Sequence, residues 1–128
     1  MTGKSTPYRI LIVDDAPTVR EGLRWLLENE PNLQVVGEAA NGLEALRNVA
    51  ALLPDLLILD IEMPYLDGLE VAQAIKAALE PPKILFVSVN GGGHMRERAR
   101  IAGGDGFVEK SEGWPALIAQ LKAMLQLP

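Results

Sequence analysis

Cysteine is absent from this chain, and histidine occurs once, at His94. Without thiols there are no disulfides and no thiolate chemistry, and a lone imidazole excludes most zinc sites. Both scarcities agree with a reducing cytoplasm, the expected location. Positive charge is scarce too: 12 Lys and Arg stand against 17 Asp and Glu, a net charge of −5, so no basic face is available for a phosphate backbone. Direct DNA binding by this segment is not expected. No apolar run approaches the roughly 20 residues of a membrane span, and the polar start Met1-Thr2-Gly3-Lys4-Ser5-Thr6-Pro7 has no signal-peptide core. No membrane partner is expected, and residues 1–7 read as a disordered tail. What is abundant is apolar: 48% of 128 residues are hydrophobic, enough for one core and too short for a second domain.

The apolar residues fall into short runs separated by helical stripes. Tyr8 to Val13 (YRILIV) is rich in β-branched residues and ends in Asp14-Asp15, a buried strand delivering two carboxylates. Pro17 suits a first helical turn, and Val19, Leu23, Leu26 and Leu27 follow at helical spacing until Asn29 and Pro31. Gln34 to Ala39 reads as a second strand. Asn41 caps a helix with Leu43, Leu46, Val49 and Ala50 on its apolar side. Between Pro54 and Pro64 lies Leu56-Leu57-Ile58-Leu59-Asp60, four aliphatics of a strand buried on both faces and then a carboxylate. Asp67-Gly68 opens a helix carrying Leu69, Ala72, Ile75 and Leu79, and Ile84 to Val87 is a strand ending at Ser88. A glycine-rich segment precedes the brief strand Phe107-Val108-Glu109, which ends at Lys110. The final helix bears Leu117, Ile118, Leu121, Met124 and Leu125.

Strand and helix thus alternate five times, which argues a parallel sheet with helices on both faces and right-handed crossovers. In such a sheet the carboxyl ends of the strands share one edge, where ligands bind. The residues that end these strands are Asp14-Asp15, Asp60, Ser88 and Lys110. A single acid at a strand end is ordinarily a solvated loop residue. Chance places all of these groups on one edge far less readily. Clustered carboxylates repel and call for a cation, and hard oxygen donors with open water positions select Mg2+.

These residues resemble the receiver domains of two-component response regulators, over about Ile10 to Leu125. The matching pieces are Asp14-Asp15, Asp60-Ile61-Glu62-Met63-Pro64 with Asp67-Gly68, then Ser88, Phe107 and Lys110; their spacing agrees as well as their type. The stretches DDAPTVREGL, VVGEAANGLEAL and GGDGF are most similar to receivers of helix-turn-helix transcriptional regulators of the NarL/LuxR type. The resemblance implies a flavodoxin-like (βα)5 domain over residues 8–127, with strand order 2-1-3-4-5. Asp60 would accept a phosphoryl group from a sensor histidine kinase. Asp15, Asp60 and the backbone carbonyl of Glu62 would ligate Mg2+, with Asp14 acting through water. Lys110 would pair with Asp60 and then with a phosphoryl oxygen. Ser88 would bond the phosphoryl group while Phe107 turned inward, changing the face of the fourth helix, fifth strand and fifth helix. Such a domain takes part in its own phosphotransfer and dephosphorylation without being an enzyme in the usual sense. A homodimer through that face, or through the first and fifth helices, is among the implied partners, and DNA would be reached only through a further C-terminal domain.

Two rival readings remain open at this stage. A Mg2+-dependent aspartyl phosphohydrolase also uses a strand-end Asp, but it needs a second Asp two residues on, where this chain has Glu62. A receiver working through partner contacts without phosphorylation would not need Asp14, Asp15, Asp60, Ser88 and Lys110 together. One segment departs from the family: where aliphatics usually seat the fourth helix, this chain has Arg96, Glu97 and Arg100 after three glycines. A short, loosely held or displaced fourth helix is expected, the alternative being arginines lying flat on their stems. Trp25, off the first helix's stripe, is a candidate kinase contact or a packing residue. Tyr65 stands where glycine is common and either shields the acceptor or is a surface tyrosine. His94 reads as solvated.

Overall fold

Alternate residues of the first strand point to opposite faces, and both faces are covered. Ile10 and Ile12 of β1 (Tyr8–Val13) join one apolar cluster, Leu11 and Val13 the other. The same division holds in β3 (Leu56–Asp60), where Leu56 and Ile58 face one side and Leu57 and Leu59 the other. All five of its residues are buried, which is why the run is apolar throughout rather than alternating. Each such aliphatic contributes about 2 kcal/mol by leaving water.

These observations come from a computed structural model that describes residues 6–128; the first five residues of the expected tail lie outside the described residues. The remaining strands are β2 (Leu33–Ala39), β4 (Lys83–Ser88) and β5 (Gly106–Glu109). All pair in parallel, in the order β2-β1-β3-β4-β5. Leu23 and Leu27 of α1 (Pro17–Glu28) and Leu117 and Leu121 of α5 (Trp114–Met124) cover one face. Ala45 of α2 (Gly42–Leu52), Val71, Ala72 and Ile75 of α3 (Gly68–Lys76), and Ala99 of α4 (Gly93–Ile101) cover the other. The doubly wound fold expected from the pattern is the fold observed. Among the described residues no helix is long and apolar enough to cross a membrane.

Local signals set the helix starts. Asn41 accepts the Glu44 N–H at 2.9 Å, and Asp67 with Glu70 forms a reciprocal capping box at the start of α3. Three apolar assignments need correction. The buried side of α2 runs through Ala45, Leu46, Val49 and Leu52, and that stripe turns Leu43 and Ala50 to solvent. α3 stops at Lys76, before Leu79, which is fully exposed, and Pro81-Pro82 bars the helix from resuming beyond Glu80.

The fourth helix forms over nine residues, the same length as α3, so the expected shortening is not seen, and Arg96 follows the alternative of a flat-lying arginine. Within it only Ala99 is buried, with Ala102 just beyond its end and Met95 packed from the side. Arg96 supplies what an aliphatic would have given: its guanidinium lies 4.6 Å from the centroid of the Phe107 ring, and its Nε donates to the Gly91 carbonyl at 3.0 Å.

Between β3 and α3 the chain turns through Tyr65, which holds φ at 67° with its side chain fully exposed. A non-glycine residue there gives up about 1 kcal/mol. Tyr65→Gly is expected to stabilise the domain by about 0.5 kcal/mol after the entropy cost of glycine, read as a small rise in Tm. A fall in Tm would mean that the ring makes contacts that matter.

Candidate functional site

Strand register alone assembles the site. Val13 pairs with Leu59, so Asp14 leaves β1 beside Asp60; Asp60 pairs with Val87, and Ser88 pairs with Glu109, the residue before Lys110. Parallel strands in register therefore bring their final polar residues to one mouth. Carboxylate oxygens of Asp14, Asp15 and Asp60 all lie within 4.8 Å of one another. Asp14 and Asp60 are buried and Asp15 is exposed, so the cluster has one open side.

Lys110 closes the other side. Its Nζ is 3.2 Å from Asp14 Oδ2 and 3.4 Å from Asp60 Oδ1. Burial pushes the Lys110 ammonium down, but Asp60 and Asp14 outweigh that and its pKa ends above the ordinary lysine value. One cation between two buried acids is not enough. Asp60 is pushed from 3.8 up to about 7, first by burial, then by repulsion from Asp14, with Lys110 pulling down and Glu62 adding to the rise. Asp60 Oδ1 is buried, and its nearest cation, Lys110 Nζ, stands at 3.4 Å, a long contact that leaves it without a close hydrogen-bond donor. An all-oxygen donor set, an orphaned carboxylate oxygen and surplus negative charge fit a hard divalent cation.

Support for the cluster comes from α1 and β2. Ala16 N–H donates to Asp14 Oδ1 at 2.9 Å, and Arg20 donates to the Asp14 carbonyl at 2.7 Å. Arg20 and Arg24 in turn converge on Glu38, at 3.1 and 2.6 Å. On the far side of Asp60, Gly68 N–H donates to the Ile61 carbonyl at 2.9 Å and folds the loop back over the acid. A Cβ on Gly68 would stand 2.8 Å from Ile61 Cα and press on the Asp60 carbonyl, so only glycine fits.

The sequence matches the response regulator receiver domain family over residues 10–122. The chain belongs to that family. A receiver domain of the NarL response regulator from Mycobacterium tuberculosis is 34% identical, with a TM-score of 0.85 over 94% of this chain and 95% of that one. The receiver of Thermotoga maritima CheB is 29% identical, with a TM-score of 0.85 over 95% of this chain and 98% of the other. Among whole proteins, a putative transcriptional regulator of Pseudomonas aeruginosa is 40% identical over 91% of this chain and 56% of its own length. A protein-glutamate methylesterase/protein-glutamine glutaminase of Methanospirillum hungatei is 41% identical over 82% of this chain and 31% of its own length. This receiver thus spans from about a fifth to just over half of the length of the curated relatives it matches, and it resembles receivers of both regulators and methylesterases.

Asp14, Asp15, Asp60, Ser88 and Lys110 end their strands at this mouth, but not all of their polar groups are free. Ser88 is fully buried, and its Oγ is 2.5 Å from Glu62 Oε2. Phe107 is half-buried beneath Arg96. Trp25 is 69% exposed, which excludes the packing alternative, and His94 is exposed. Three participants escaped the sequence reading: Arg20, Glu38 and the side chain of Glu62. The available signal for Glu62 was an acid in an otherwise apolar, proline-bounded turn with no helix start to cap.

Proposed function

We propose that this receiver is a phosphorylation-dependent switch whose acceptor is Asp60. The observation that carries the reading is the buried Asp60 carboxylate held between Lys110 and the Asp14–Asp15 pair. An Asp60 oxygen attacks the phosphorus carried by a histidine of a sensor kinase; the donor's bond to phosphorus breaks and its electron pair leaves with the imidazole. Lys110 orients the carboxylate and then faces a phosphoryl oxygen, and Ser88 donates to another. Asp15, Asp60 and the Glu62 carbonyl would hold Mg2+, with Asp14 acting through water. Bound there, the ion neutralises the acids and the incoming phosphoryl group.

The readout is a changed surface on α4, β5 and α5, within which Arg96 over Phe107 ties α4 to β5. Control of transcription is the output that the regulator relatives favour, and a homodimer through that face or through α1 and α5 suits it. Control of a methylesterase is the second reading, favoured by the 41% identity to the Methanospirillum protein.

Incubation with acetyl phosphate is expected to add one phosphoryl mass to the chain in the presence of Mg2+ and none after chelation. Mg2+ alone is expected to raise the Tm by relieving the carboxylate repulsion. Steady release of phosphate from small esters would favour a phosphohydrolase instead.

A further inference from the structure

Ser88 has one proton to give, and it is already committed. Its Oγ lies 2.5 Å from Glu62 Oε2 and 3.0 Å from the Asn90 carbonyl, while the Asn90 N–H donates to it at 3.0 Å. A hydroxyl holds a single hydrogen, and a carboxylate at the shorter distance is the stronger acceptor, so the proton points at Glu62. The second carboxylate oxygen, Oε1, accepts the Val89 N–H at 3.0 Å. Glu62 therefore grips an O–H and an N–H on neighbouring residues with both its oxygens. Ser88 is completely buried, so no solvent stands ready to replace that grip.

The same O–H and N–H end β4 next to Asp60, whose partner in the ladder is Val87. An anionic group attached to Asp60 would seek those donors. We infer that Glu62 is a built-in competitor for the phosphoryl group: its carboxylate occupies the Ser88 hydroxyl and the Val89 N–H at rest and has to leave before a phosphoryl oxygen can take them. Glu62 forms no bond to phosphorus and moves no proton in the transfer; it is a positioning residue that acts through Ser88. Its negative charge beside the acceptor also opposes the approach of an anionic donor. The inference rests on the acceptor reading of Asp60.

The test compares wild type, Glu62→Gln and Glu62→Ala for initial rates of phosphate uptake from acetyl phosphate with Mg2+, and for affinity towards beryllofluoride. Glu62→Ala is expected to gain about tenfold in both, the worth of a charged hydrogen-bonded clamp, and Glu62→Gln a smaller gain because its amide still accepts from Ser88. In a Ser88→Ala background, where half the clamp is already gone, the gain from Glu62→Ala is expected to shrink severalfold. A purely steric role for Glu62 would leave that gain unchanged, which overturns the inference. Uptake by wild type with no gain in either Glu62 variant overturns the latch and leaves the acceptor reading standing. No uptake by any chain overturns both. Thermal melts verify that each variant is folded, which the half-exposed position of Glu62 favours.

Discussion

Asp60→Asn is expected to abolish phosphate uptake and, in the absence of divalent ions, to melt above the wild type. Loss of uptake follows because an amide oxygen is too weak a nucleophile to form the acyl phosphate. The gain in stability follows from the acid's pKa, about 7 in the fold against 3.8 for an unburied carboxyl. Between those values the folded state keeps a proton that the unfolded state has released, so stability declines as pH rises towards 7 and the penalty is complete above it. Asparagine carries no charge to bury. Its advantage should be small at about pH 4 and reach about 4 kcal/mol, roughly 16 °C in Tm, at about pH 8. Melts in chelator across that range check both the sign and the pH window. A variant less stable than wild type at high pH would mean that Lys110 already compensates the charge.

Gly68→Ala should damage the fold and the site together. The methyl group would meet backbone, with Ile61 Cα at 2.8 Å and the Asp60 carbonyl nearer still, and backbone cannot move aside as a flexible side chain can. The loop after β3 would have to lift, breaking the Gly68 N–H bond to the Ile61 carbonyl and shifting Asp60 against Lys110. The expected cost is about 3 kcal/mol, at the upper end for overpacking, read by urea titration. Phosphate uptake by the folded fraction is expected to fall more than tenfold, since positioning supplies much of the rate. A variant within about 0.5 kcal/mol of wild type would show that the loop is looser than its packing implies.

The elements that build the mouth were readable because buried parallel strands have an unmistakable grammar. YRILIV and LLIL are apolar on both faces, so the charged residue after each run marks a strand end, and parallel pairing does the rest. Helix faces were less certain. Leu43 and Leu79 satisfied the spacing rule, yet one lies off the stripe that α2 buries and the other follows the last turn of α3.

Contacts between distant side chains were readable only where strand ends force them together, as for Lys110 and Asp60. No periodicity links Arg20 to Glu38, or the side chain of Glu62 to Ser88. Arg96, counted as a loss of anchoring for α4, proved to be an anchor because its flat cation rests on Phe107. Hydropathy ranks arginine as polar and does not register a stacked guanidinium.

The most direct test is the location of the phosphate. After incubation with acetyl phosphate and Mg2+, borohydride reduction converts an acyl phosphate into a stable mark that peptide mass spectrometry assigns to one residue. The account predicts that mark on Asp60 alone, lost when Mg2+ is chelated. A mark on Asp14 or Asp15, phosphate retained on His94, or no incorporation by a folded chain would contradict it.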